Sequence, residues 1–128
     1  MISILVDEGY AFDFLSIIHV KMHSCEDDKK RIALSKQFDM TINHLSLQLN
    51  SSNDKKKMRE MMSSDEYLEL YDRNKEVFDL VDLAKEDEVS ASNVDEANYF
   101  RYLAKVKFQA KFFGDETLQE IKIGYDND

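Results

Sequence analysis

Seven acidic side chains, Asp65, Glu69, Asp72, Glu76, Asp79, Asp82 and Glu86, follow one another at intervals of three or four residues. On a helix that spacing draws them roughly along one side. A carboxylate stripe of this kind can hold Mg²⁺, which takes one or two carboxylates and fills its remaining positions from phosphate oxygens and water. Glu66 beside the stripe, with Glu69, Glu76 and Asp79 within it, forms two short acidic pairs that are candidate Mg²⁺ ligands. A second constellation is His19 and His23, four residues apart with Asp27 four further on. Two imidazoles and a carboxylate at that spacing are the donor set of a three-ligand metal site. The hydrolytic zinc motif also requires Glu directly after the first His, and Val20 stands there. The ordinary reading is two half-exposed histidines at the edge of an apolar stripe.

The acidic stripe also has an electrostatic explanation. Residues 65–88 contain ten acids and three bases, whereas residues 97–113 contain Arg101, Lys105, Lys107 and Lys111 and no acid. Two neighbouring helices of opposite charge steer pairing, within one molecule or between copies. The second of them is crowded with rings, including Tyr99, Phe100, Tyr102, Phe108, Phe112 and Phe113. Rings on more than one side mark a helix that is central, or one with a face turned to a partner. Arg101, Lys105, Phe108 and Phe112 are therefore the expected partner-binding residues. Lys55-Lys56-Lys57-x-Arg59 is a short basic run that can bind phosphate, although a solvated loop explains it as well.

Four helices are needed to carry these groups. The first spans about Tyr10 to Ser24, with Leu15, Ile18, Met22 and Cys25 as its apolar stripe. Glu26-Asp27-Asp28 supplies caps and negative charge for a second helix, which runs to about Leu49 on Leu34, Phe38, Ile42, Leu45 and Leu49. Without Pro or Gly at that break, one continuous rod over residues 10–49 is the alternative. Residues 50–57 read as a mobile polar loop, followed by a short helical turn at Met58, Met61 and Met62. The third helix starts near Ser64-Asp65 and buries Leu68, Tyr71, Phe78 and Val81. The fourth ends at Phe113 with Gly114 as its C′ residue. Ile2, Ile4 and Val6 alternate at period two, as do Ile121, Ile123 and Tyr125, which predicts two short terminal strands able to pair. The fold class is thus mostly all-α, as an antiparallel four-helix bundle or a long helical hairpin, with short N- and C-terminal β-strands. The expected core is Leu15, Ile18, Phe38, Ile42, Leu45, Leu68, Phe78, Val81, Leu103 and Val106.

Composition sets the class limits. The 128 residues suit a single domain, with 43% apolar and 34% charged side chains and no proline or tryptophan. Three glycines are too few for the frequent tight turns of a sandwich or barrel. A net charge of −9 repels phosphate backbones, which disfavours nucleic acid as a partner. The single cysteine, Cys25, excludes an intrachain disulfide and a Cys-rich zinc site and fits a reducing compartment. No apolar run approaches the ~20 residues of a membrane span, and the first residues lack a signal-peptide core. A cytoplasmic location is expected. No Gly-rich phosphate loop, nucleophile elbow or credible Cys–His pair is present, so the chain leans away from enzymes.

Two resemblances add expectations. Val6-Asp-Glu-Gly-Tyr-Ala-Phe-Asp13-Phe-Leu15-Ser16-Ile17-Ile18-His-Val20-Lys21 resembles the opening of the short bacterial and phage proteins catalogued as domain of unknown function 6165, with Asp13, Ser16, Ile17, Ile18 and Lys21 at matching places. Leu70-Tyr71-Asp72-Arg-Asn74-Lys-Glu-Val77-Phe78-Asp79-Leu80 is similar to that family's second block. Glu8-Gly9 inverts its Gly-Glu, and Asp27-Asp28 stands where it carries a proline. The resemblance implies a compact helical protein and supplies no activity. Glu66-x-x-Glu69 and Glu76-x-x-Asp79 resemble the acidic pairs of the all-α nucleoside-triphosphate pyrophosphohydrolases, although that fold draws its pairs from two helices rather than one. The leading expectation is a non-enzymatic module that self-associates or docks on a protein, without cofactor. The alternative is the Mg²⁺-dependent nucleotide hydrolase.

Overall fold

The structure, a computed structural model, describes residues 2–49, 55–86 and 90–114. Five helices carry the fold: α1 (Glu8–Ser24), α2 (Asp28–Leu49), α3 (Lys55–Met62), α4 (Asp65–Lys85) and α5 (Ala91–Phe112). Among the described residues the all-α class holds, and the helices number five rather than four. The extra helix is the short turn expected near Met58. It extends back to Lys55, so the proposed loop loses residues 55–57, while residues 50–54 lie outside those described.

Cap chemistry fixes most of the boundaries. Asp7 accepts a hydrogen bond from the Tyr10 amide at 2.8 Å and starts α1. Asp27 accepts from the Lys29 and Lys30 amides at 2.9 and 3.3 Å and starts α2. Cys25 between them is extended, so residues 10–49 form a hairpin of two helices and not one rod. His19 against Phe38 and Met22 against Ser35 show the two helices running antiparallel. Ser64 accepts from the Tyr67 amide at 3.1 Å and opens α4. Gly114, at φ +86°, takes the left-handed conformation that terminates α5.

Among the described residues there is no strand. Residues 2–7 have no regular structure, and Ile2, Ile4 and Leu5 are 92%, 72% and 86% exposed. Period-two alternation makes a strand only when a partner satisfies its amides. The other expected strand, at 121–125, lies outside the described residues.

α1 touches α2, α4 and α5, and α4 touches α1, α3 and α5, so these two helices rather than the ring-rich α5 alone are central. α1 therefore buries residues around most of its circumference, Gly9, Phe12, Asp13, Leu15, Ser16, Ile18 and Val20. The core joins Phe12 and Leu15 to Met58, Met61, Tyr67, Leu70, Ala104 and Phe108, with Phe38, Ile42 and Leu45 half-buried against it. Leu15 and Ile18 are core residues as expected. Leu68 and Leu103 are not, at 51% and 41% exposed, and Phe78, Val81 and Val106 are half-buried. α4 is rotated by about one residue from the expected face, burying Tyr67, Leu70 and Asn74.

Candidate functional site

Glu66, Glu69, Glu76 and Asp79 each have a basic partner. Glu69 accepts from Lys107 at 3.0 Å, and Glu66 lies 3.8 Å from Lys111. These two pairs tie α4 to an antiparallel α5, as the charge pattern of the two helices implies. Glu76 pairs with Arg73 at 3.2 Å and Asp79 with Lys75 at 2.8 Å, both within α4. The bond to Glu69, and then its charge, raise the Lys107 pKa above the ordinary lysine value. The basic partners are largely solvent-exposed, so the pairs add little stability and mainly set which helix faces lie together. Asp65, Leu68, Glu69, Asp72, Arg73 and Glu76 line an open groove of about 300 Å³ along this face. Among the described residues no group of three or more His, Cys, Asp or Glu side chains is arranged to hold a metal ion.

The expected partner-binding residues are mostly interior. Phe108 is fully buried, stacked at 4.8 Å on Phe12, and Phe112 packs against the core beside it. Lys105 is also buried, its ammonium near the Tyr10 and Tyr102 rings at 5.6 and 5.5 Å. Phe108 and Phe113 thus pack on Phe12 of α1, and Phe100 lies against Arg73 of α4. Arg101 reaches a surface feature. It lines a cleft of about 140 Å³ with Tyr10, Asp13, Phe14 and Ile17.

Beneath that cleft lies a polar cluster for which the hydrophobic pattern gave no signal. Asp13 and Ser16 are buried on α1, and Asn74 is buried opposite them on α4. The Asn74 amide lies 2.9 Å from Asp13 Oδ1, 2.6 Å from Ser16 Oγ and 3.1 Å from the Leu70 carbonyl oxygen. A carboxylate and a carbonyl can only accept, so the nitrogen of Asn74 must face them. Ser16 Oγ donates in turn to the Asp13 carbonyl at 2.8 Å. Arg101 Nη1 stands 3.7 Å from Asp13 Oδ2, and Arg101 Nε is buried with no hydrogen-bond partner among the described residues. Asp13 is a buried anion held by one amide and one guanidinium. At the upper end of α1 the first-turn amide of Gly9 donates to Gln109 Oε1, joining α1 closely to α5.

His19 and His23 do share a face, with their ring centroids 4.5 Å apart. Asp27 does not join them, because it caps α2. Their companions are Tyr67 and Tyr71, also four residues apart, on α4. His19 Nδ1 lies 3.1 Å from Tyr67 Oη and His23 Nδ1 2.9 Å from Tyr71 Oη. Burial, and secondarily the charge of His23, lower the His19 pKa. Burial, and secondarily Tyr71, raise that of Tyr67 well above the usual tyrosine value. Both residues therefore favour their neutral forms.

No family model, curated protein or solved structure matches the chain. No helix among the described residues is long and apolar enough to cross a membrane.

Proposed function

We propose that the chain is a non-enzymatic, cytoplasmic helical module that self-associates or docks on a protein partner through the face formed by residues 2–17 and Arg101. The observation that supports this is the run of exposed large apolar side chains at the start of the chain. Ile2, Ile4 and Leu5 are followed by Tyr10 and Phe14, which stand exposed on α1 at the mouth of the Arg101 cleft. Scattered exposed apolar residues are ordinary, whereas Tyr10 and Phe14 flank a cleft, and apolar side chains at a cleft mark an interaction surface. The complementary surface is apolar, with an acceptor for the Arg101 guanidinium.

The Mg²⁺-dependent hydrolase reading has less behind it. Glu66, Glu69, Glu76 and Asp79 are each already neutralised by a basic side chain, so a cation would have to displace Lys111, Lys107, Arg73 or Lys75. Light scattering behind size exclusion at low and high salt, with a pull-down, tests the docking reading. Wild type should run larger than a monomer or capture a protein, and a Tyr10→Ser/Phe14→Ser variant should lose that behaviour while keeping its helix content. A strictly monomeric wild type that captures nothing would reject it.

A further inference from the structure

We infer that His19 and His23 form a two-imidazole chelate for a transition-metal ion of the Cu²⁺ or Ni²⁺ type. The site rests on geometry independent of the docking face. The two rings sit one turn apart on α1 with centroids 4.5 Å apart and an interplanar angle of 53°. Two imidazoles bound cis at ~90° to one metal, with metal–nitrogen bonds of ~2.0 Å, place their centroids ~4.5 Å apart. The preferred square-planar or tetragonal geometry of Cu²⁺ and Ni²⁺ supplies that angle, whereas a tetrahedral ion would hold the rings ~5.2 Å apart.

The surroundings prepare both rings for this role. Each Nδ1 is engaged by a tyrosine hydroxyl of α4, at 3.1 Å for His19 and 2.9 Å for His23. An imidazole whose Nδ1–H is donated to a neighbour keeps its Nε2 lone pair, and that nitrogen points to the opposite side of the ring. In the tautomer that donates Nδ1–H to the tyrosine hydroxyl, Nε2 of each ring is the nitrogen left for the metal. Ligating histidines in metal sites are held in this manner, with the second nitrogen tied to an oxygen. Phe38 packs against His19 with centroids 4.8 Å apart and limits rotation of that ring. Water completes the shell. Nitrogen donors of this kind select Cu²⁺ and Ni²⁺ over Mg²⁺ and Ca²⁺, which require oxygen.

Calorimetric titration of the chelator-stripped chain with Cu²⁺, Ni²⁺ and Mg²⁺ tests the site, with the Cu²⁺ form also examined by electron paramagnetic resonance. Cu²⁺ and Ni²⁺ should bind one per chain and Mg²⁺ should not, and the Cu²⁺ spectrum should show two imidazole nitrogens. His23→Gln, at an exposed position that leaves the fold intact, should weaken binding at least tenfold. Tyr71→Phe retains both imidazoles and should weaken it about tenfold through loss of the orienting bond. His44→Gln, which removes the remaining histidine, should leave binding unchanged. Absence of Cu²⁺ and Ni²⁺ binding at millimolar ion, or equal affinity in wild type and His23→Gln, would overturn the inference.

Discussion

Replacing Asn74 by Leu tests the polar cluster beneath the Arg101 cleft. The side chains are close in size, so the change removes hydrogen bonds while leaving little cavity. Wild-type Asn74 donates to Asp13 Oδ1 at 2.9 Å and to Ser16 Oγ at 2.6 Å, and all three side chains are buried. In the variant the Asp13 carboxylate keeps only Arg101, whose Nη1 is 3.7 Å away. A hydrogen bond to a charged group contributes about 1.5–3 kcal/mol, and leaving its acceptor buried and unpaired adds to the cost. We expect a loss of about 3 kcal/mol, which for a domain of this size lowers Tm by roughly 10 °C. Urea unfolding of wild type, Asn74→Leu, Asp13→Leu and the double variant completes the cycle. The double variant should be less destabilised than the sum of the singles by about 1.5–3 kcal/mol, since removing both partners leaves no orphan. An additive cycle, or a single Asn74→Leu loss below about 1 kcal/mol, would refute the reasoning.

Gly9→Ala should destabilise the chain by about 1–3 kcal/mol in thermal melts, because the added Cβ would stand 3.1 Å from Gln109 Cβ, Gln109 Oε1 and the Lys105 carbonyl oxygen. Ser64→Ala should cost about 1 kcal/mol in urea unfolding through loss of the α4 cap, while Ser90→Ala should cost less, since Ser90 makes no side-chain cap bond. His19 has a lowered pKa, so the unfolded chain binds more protons below 6.5. Stability should therefore be full above that pH and fall as pH drops toward the folded value, and His19→Gln should flatten this limb in melts between pH 7 and 5. Tyr67 has a raised pKa, so a second loss should begin as pH rises past 10.0, and Tyr67→Phe should reduce it.

The helices were legible because their ends are written in short-range chemistry. Asp7, Asp27, Ser64 and Gly114 each terminate or start an element through their own side chain or backbone freedom. The rotation of α4 was not legible. Leu68, Tyr71, Phe78 and Val81 form an acceptable apolar stripe, but the observed face centres on Asn74, which hydropathy counts against burial. Its partners Asp13 and Ser16 lie 61 and 58 residues away, beyond any local pattern. The expected terminal ribbon failed for a related reason: alternation at Ile2 and Ile4 is local, whereas pairing is not. The acidic stripe was read correctly as a stripe, and its partners Lys107 and Lys111 follow from the adjacent basic helix. The His–Tyr rungs could have been found by noting that 19 and 23 share their four-residue spacing with 67 and 71.

Those rungs and the Asn74 cluster answer the same physical problem. α4 carries two usable apolar faces about one residue apart, and burying either set of side chains stabilises the fold by a similar amount, since area burial is non-directional. Hydrophobic pattern alone therefore leaves the rotation of α4 against α1 nearly undetermined. Directional bonds break the tie. Turning α4 to bury Leu68 and Phe78 would swing Asn74 away from Asp13, leaving a buried carboxylate without its amide, and would part Tyr67 from His19. Stranding a buried carboxylate costs its desolvation without the hydrogen bond that offsets it, a directional penalty that area burial does not carry. The polar residues on α1 act as a register key for α4, and through Glu69–Lys107 and Glu66–Lys111 that register passes on to α5. The placement of Arg101 at the cleft, and of Tyr67 and Tyr71 beside His19 and His23, follows from this key rather than from the apolar core.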